Sequence, residues 1–153
     1  EMVAHVLALY RAAYGRRWNA RTVPYAGIPE TLHELSFKPV KLAVLSNKPQ
    51  KFTDLCITHH LPGNPFHLVF GQRDNVPRKP DPAGALEIAR AFQVAPADVV
   101  FIGDSRIDME TAIAAGMRAI GVSWGFRPVG ELRDHGAAMI IDHPGEILEL
   151  FAD

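Results

Sequence analysis

The stretch Val99-Val100-Phe101-Ile102-Gly103-Asp104-Ser105-Arg106-Ile107-Asp108 does more than any other to limit what this chain folds into. A short apolar run ends in Gly103-Asp104, and a second carboxylate, Asp108, follows about one helical turn later. Apolar runs of this length, bounded by turn residues, are strands buried on both faces, as in parallel sheets. Gly103 lets the backbone turn sharply as it leaves the strand. The carboxyl end of such a strand is where open α/β sheets hold their ligands. Asp104 is therefore expected at the strand tip and Asp108 in the first turn of the helix that follows. Two readings of this pair stand side by side. Hard cations such as Mg²⁺ take a few carboxylates and leave their other positions to water and phosphate oxygens. Alternatively, Asp104 caps the helix and Asp108 complements its positive end.

The rest of the chain alternates in the same way. Val3, Val6, Leu7, Tyr10, Ala13 and Tyr14 recur at helical spacing, and Gly15 is expected to stop that helix. Trp18 to Pro24 reads as a connector, and Pro29 opens a short helix that runs to Phe37. Strands are expected over Val40–Leu45, Phe66–Phe70, Val99–Ile102, Arg118–Val122 and Ala138–Ile141. Between and after them lie helical stretches: Pro49–His60, one capped by Asp81 with Pro82 as its first residue, one ending at Gly116, Val129–His135 and Pro144–Phe151. This alternation argues a parallel sheet with helices on both faces. Right-handed crossovers bring every strand's carboxyl end to one rim.

Composition narrows the partners. A chain of 153 residues is long enough for one domain with a real core. Its net charge of −1 leaves no basic face for nucleic acid. No apolar run is long enough to span a bilayer, and no signal-peptide pattern is present, so no membrane partner is expected. Cys56 has no second cysteine to pair with, which fits a reducing cytoplasm, and it reads as a buried residue of a helix. His59 and His60 are adjacent and point in different directions, so they are not read as a metal pair. The first residue is Glu1 rather than Met, and the chain is read as a piece of a longer product.

Polar groups gather on the expected rim. The first strand ends in Ser46 and Asn47, the loop before the third strand carries Lys79, and the third strand brings Asp104 and Asp108. A hydroxyl, an amide, an ammonium and two carboxylates around one point suit a phosphate with Mg²⁺. Ser46 and the N–H groups after it would donate to phosphate oxygens, Lys79 would add a compact positive charge, and Asp104 would hold the cation. Each residue also has a plainer reading. Ser46 would cap a helix, and Lys79 and Lys48 would be solvated lysines. Trp124 and Phe126 would be either a wall over the site or buried anchors under their loop.

These residues resemble a known pattern. Leu45-Ser46-Asn47-Lys48-Pro49, then Arg78-Lys79-Pro80-Asp81-Pro82, then Gly103-Asp104-Ser105-x-x-Asp108 are similar to motifs two, three and four of the haloacid dehalogenase-like hydrolases. Tyr25-x-Gly27 and the Gly121-Val122-Ser123-Trp124-Gly125 loop resemble the phosphoglycolate phosphatase branch, and the likeness covers roughly Pro24 to Phe151. The resemblance implies a three-layer, Rossmann-like α/β core over residues 23–153, with residues 1–22 as the remnant of a helical cap. It also implies a cytoplasmic, Mg²⁺-dependent phosphoric monoester hydrolase acting on a small phosphorylated metabolite, with 2-phosphoglycolate as the leading guess. In such enzymes an Asp attacks the phosphoryl group to give an aspartyl-phosphate, and a second Asp two residues later is the general acid and base. Ser46 would bind the transferring phosphoryl group with Asn47 beside it. Lys79 would hold nucleophile and phosphate, and Asp104 would ligate Mg²⁺ with support from Asp108.

One departure is plain: no Asp-x-Asp occurs anywhere in the chain. The pattern places that motif at the end of a first strand lying mid-sheet, between the Val40–Leu45 and Val99–Ile102 strands. Without that strand two buried edges lack a partner, which invites self-association through them. The chain alone is therefore expected to turn over no phosphate ester, and the parent protein with the motif supplied is expected to be active. Two other readings remain: a non-catalytic phosphate-binding or interaction module, and a phosphosugar mutase of the same fold.

Overall fold

The computed structural model describes residues 2–152. Its elements run in chain order as α1 (Met2–Arg17), α2 (Ile28–Leu35), β1 (Ala43–Pro49), α3 (Gln50–His60), β2 (Leu68–Gln72), α4 (Ala83–Phe92), β3 (Val100–Gly103), α5 (Arg106–Ala114), β4 (Arg118–Val122), α6 (Val129–Asp134) and β5 (Met139–Ile141). A 3-10 turn, Pro96–Asp98, precedes β3, and a 3-10 segment, Pro144–Phe151, closes the chain. Glu1 and Asp153 lie outside the described residues, as do the side chains of Leu7 and Tyr10 from the expected apolar face of α1.

Every strand pairing is parallel, as the alternation requires. β1 pairs with β2 through Ala43–Leu68, Val44–Val69 and Leu45–Phe70. β3, β4 and β5 form a second sheet in that order, with Gly103 opposite Gly121 and Val122 opposite Ile141. Among the described residues no ladder joins β1 to β3. The break falls where the family resemblance puts a further, first strand.

Strand periodicity builds the three layers. In β4, Ala119 packs into a cluster with Ala85, Ala89, Met109, Ala112 and Leu132, so α4, α5 and α6 cover that face. Ile120 and Val122 pack into the opposite cluster with Leu35, Ile141 and Ile147, so α2 and the terminal segment cover the other. β3 repeats the pattern, with Phe101 toward the first cluster and Val100 and Ile102 toward the second. Ile120 and Leu132 are fully buried, each contributing roughly 1.5–3 kcal/mol relative to an exposed side chain. No helix is long and apolar enough to cross a membrane among the described residues.

Several boundaries differ from expectation. α1 does not stop at Gly15 but continues to Arg17. Gly15 is not among the positive-φ glycines, and the Tyr14 ring meets Phe52 of α3 edge-on at 4.9 Å, so the helix is held beyond it. β1 begins at Ala43 rather than Val40 and runs through the expected loop to Pro49. At its start the Leu42 carbonyl takes the His67 main-chain N–H at 2.8 Å, but the Leu42 N–H goes to the His67 imidazole at 3.1 Å, so only half of the main-chain pairing is made there. The terminal helix is 3-10 rather than α. Three residues per turn put Pro144, Ile147 and Leu150 on one face, and the first two are buried. α4 starts at Ala83, one residue later than expected; the Asp81 carboxylate takes the Ala83 N–H at 2.9 Å.

Candidate active site

Lys79 bridges the two sheets, joining Leu45 of β1 to Asp108 in the first turn of α5, the helix that follows β3. The loop between β2 and α4 carries Lys79 to this place, and the Lys79–Pro80 peptide bond is cis. Asn47 fixes the loop from below. Its amide oxygen accepts the Lys79 N–H at 2.9 Å, and its amide nitrogen donates to the Lys79 carbonyl at 3.0 Å. The Lys79 ammonium then donates to the Leu45 carbonyl at 3.0 Å and to Asp108 Oδ1 at 2.7 Å. The side chains of this ion pair are only 14% and 10% exposed. At the start of the same loop, Arg73 makes two bonds to Glu87 of α4 at 2.9 and 2.7 Å. Those bonds hold the Glu87 carboxyl below its usual range against the opposing effect of burial.

Asp108 has a second task. Its Oδ2 accepts the Ser105 hydroxyl at 2.7 Å and the Ser105 N–H at 3.2 Å. Ser105 is thus the N-cap of α5, in a reciprocal capping box with Asp108 three residues later. This corrects the plainer reading of Asp104, which does not cap the helix. Gly103 is required beneath it: a Cβ there would overlap the Asp108 side chain, 2.5 Å from its Cγ. Each Asp108 oxygen already accepts a hydrogen bond, so the geometry gives Asp108 the work of fixing Lys79 and the start of α5.

Asp104 is differently placed. Its Oδ2 accepts the Phe126 N–H at 3.1 Å. Among the described residues no cationic side chain pairs with it, since Lys79 is paired with Asp108. Burial and the Asp104 charge together raise the Tyr25 phenol above its ordinary pKa. A carboxylate at a strand tip with no cation beside it has the chemistry of a Mg²⁺ ligand, because Mg²⁺ needs only one or two protein carboxylates. Among the described residues no group of three or more His, Cys, Asp or Glu side chains forms a full cage, and Mg²⁺ does not require one.

Ser46 lies beside Lys79 in a small cleft of about 10 Å³, room for about one water, which Asn47, Arg73 and Asp81 also line. The Ser46 hydroxyl accepts the Lys48 N–H at 3.1 Å, which leaves its own hydrogen to donate elsewhere. Two expectations change here. The Lys48 N–H is taken by Ser46 and is not offered to a phosphate. The Asn47 amide, read from sequence as a phosphate contact, also bonds the Lys79 main chain through its oxygen and one of its two N–H donors, so it places Lys79 as well. Lys48, read as exposed, is half-buried and donates to Cys56 Sγ at 3.3 Å.

Of the five residues singled out from the sequence, Ser46 and Asn47 of β1, Lys79 of the β2–α4 loop and Asp108 of α5 form one hydrogen-bonded or pocket-sharing group, while Asp104 lies outside that group, where it accepts the Phe126 N–H. The family profile described as haloacid dehalogenase-like hydrolase matches residues 1–122. The chain belongs to this family. Phosphoglycolate phosphatase of Pseudomonas putida strain KT2440 is 31% identical over 152 residues, covering 99% of this chain and 56% of that protein. Phosphoglycolate phosphatase 1 of Pseudomonas aeruginosa is 31% identical over 142 residues, covering 93% of this chain and 52% of that one. A crystal structure from Lactobacillus delbrueckii subsp. bulgaricus, provisionally named a phosphoglycolate phosphatase, is 36% identical with a TM-score of 0.90, covering 97% of this chain and 62% of that one. This haloacid dehalogenase-like chain thus spans about half the length of the curated relatives it matches.

The sequence named Trp124 and Phe126 as wall or anchor without deciding. Trp124 packs against the second core cluster, while the Phe126 ring is 90% exposed. What the sequence did not reveal is that the Phe126 main chain, not its ring, reaches Asp104. A backbone donor leaves no mark in residue type.

Proposed function

We propose that these residues form the phosphate and Mg²⁺ side of a phosphatase acting on a small phosphate monoester, with 2-phosphoglycolate as the leading substrate. The observation that carries this reading is the Lys79 ammonium, locked between Leu45 and Asp108, lining one cleft with Ser46, while among the described residues no cationic side chain pairs with Asp104 at the tip of β3. The names of the relatives support the substrate class. Lys79 would hold the anion and Ser46 would donate to one of its oxygens, while Asn47 and Asp108 keep Lys79 in place. Asp104 would hold Mg²⁺, which when bound neutralises phosphoryl charge. Residues 1–22 are the remnant of a cap and residues 23–153 the hydrolase core in this reading. The free Cys56 suits a reducing compartment, and the cytoplasm is the one we assign.

The test separates binding from turnover. Calorimetric titration of the chain with inorganic phosphate or 2-phosphoglycolate in Mg²⁺ is expected to show saturable binding. Lys79→Met should abolish it, and Ser46→Ala should weaken it about tenfold, the worth of one hydrogen bond to a charged group. Because the chain holds no Asp-x-Asp, p-nitrophenyl phosphate is expected to remain unhydrolysed. Absence of phosphate binding at millimolar ligand would overturn the reading, and steady turnover would overturn the assignment of a missing nucleophile.

A further inference from the structure

The aim of the Asp104 carboxylate is set from a different strand. After β4 the chain makes the turn Ser123-Trp124-Gly125-Phe126 and comes back against Asp104. The Phe126 N–H donates to Asp104 Oδ2 at 3.1 Å. At Gly125 the approach is closer still: a Cβ there would overlap the Asp104 Cβ and stand 2.5 Å from Oδ2. The main chain of this turn therefore lies along the carboxylate, and any side chain at residue 125 would displace one or the other.

The turn is tied down at both ends. Before it, the Ser123 N–H donates to the Ile141 carbonyl at 3.1 Å, and Trp124 packs against the second core cluster. After it, Arg127 Nε donates to Glu131 Oε2 at 2.9 Å and Nη2 lies 2.9 Å from the same oxygen. Glu131 Oε1 in turn accepts the Arg106 N–H, at 3.2 Å, from the first turn of α5. The loop and the helix that follows Asp104 thus share one clamp. The Phe126 ring is 90% exposed and contributes little packing, so the contact this residue makes is through its N–H.

We propose that the Gly125-Phe126 turn is the positioning element for Asp104, holding Oδ2 so that Oδ1 is presented to a divalent cation. This rests on the reading of Asp104 as the Mg²⁺ ligand. Mg²⁺ tolerates little departure from octahedral geometry, so a carboxylate fixed before binding gives tighter binding than one free to rotate. Gly125 and Phe126 are positioning residues here and touch no reacting atom.

The test is a titration of the ¹⁵N-labelled 153-residue chain with MgCl₂, followed by amide chemical shifts. In the wild type the Phe126 amide is expected to shift among the most and to saturate with the metal. Asp104→Asn should abolish the saturable shifts. Gly125→Ala and Phe126→Pro, which crowd the carboxylate or remove the donor, should weaken Mg²⁺ about tenfold or more. Gly130→Ala, where a Cβ meets nothing within 4 Å, should bind as the wild type does. Urea unfolding of each variant separates lost affinity from lost folding. If the wild type does not bind Mg²⁺, or Asp104→Asn binds equally well, the metal reading fails and takes this proposal with it. If binding depends on Asp104 yet Gly125→Ala and Phe126→Pro keep wild-type affinity, the positioning role alone is overturned. Should both variants fail to fold, the wild-type titration decides: a Phe126 amide unmoved while Asp104-dependent binding saturates overturns the proposal.

Discussion

Asp108 shows how one carboxylate serves two structures. It neutralises Lys79 and completes the cap of α5. Removing one partner of a buried pair leaves the other charge without compensation, so Asp108→Ala is expected to cost about 3–5 kcal/mol in urea unfolding. Ser105→Ala, which removes the cap hydroxyl and its bond to Asp108 Oδ2 but leaves the ion pair, should cost about 1 kcal/mol. Equal losses from the two would show that the ion pair adds nothing. The Arg73–Glu87 pair carries a pH signature. Hydrogen bonds from Arg73 hold the Glu87 pKa below its ordinary 4.5. A carboxylate depressed in the folded state contributes stability that is complete above its unfolded pKa and is lost as pH falls through the lower folded value. The unfolding midpoint of the wild type should therefore fall more steeply below pH 4.5 than that of Glu87→Gln, and parallel curves would refute this. At this scale the places of Ser46, Asp104 and Asp108 were legible, because the first two follow apolar strand runs and the third comes one helical turn later, whereas Lys79 lies in a loop that carries no such pattern. The tasks of Asn47 and Phe126 were not, because both act through main-chain groups that every residue type carries.

Among the elements, β4 is the one most fully specified by pattern. Its alternation sends Ala119 to one core and Ile120 and Val122 to the other, and its observed bounds are those expected from the sequence. Ile120→Ala should cost about 2–5 kcal/mol in chemical denaturation, since Ile120 is fully buried. Boundaries were misread where a contact distant in sequence decides them. Gly15 signals a stop, but the packing of Tyr14 on Phe52 carries α1 beyond it. Gly15 is not in the left-handed region, and its added Cβ would lie 3.9 Å from Phe52, an ordinary contact. Gly15→Ala is accordingly expected to stabilise the chain by about 0.5–1 kcal/mol; a lower melting temperature would contradict this. The start of β1 was misread for a similar reason, because His67 supplies a hydrogen bond that no local pattern at Val40–Leu42 foretells.

At the scale of the molecule, the two sheets, β1-β2 and β3-β4-β5, are each paired internally and, among the described residues, not to each other. Strand edges without partners are templates for other chains, and we propose that this polypeptide self-associates through the facing edges of β1 and β3. Sedimentation velocity across a concentration series should show a growing dimeric or larger species, and a single monomeric boundary throughout would sink the idea. The sequence carried the class of fold and the sharing of one rim, since alternation and crossover handedness act over the whole chain. It did not show which polar contacts cross between the two sheets. One of them is the Lys79 ammonium, bound to a carbonyl of β1 on one side and to a carboxylate of α5 on the other. An incoming anion that recruits this ammonium competes with the bonds that hold the two halves in register. On the proposed function, occupancy of the cleft and the rigidity of the scaffold are expected to vary together, and variants of Lys79 ranked by cellular abundance are expected to record the loss of both as a single defect.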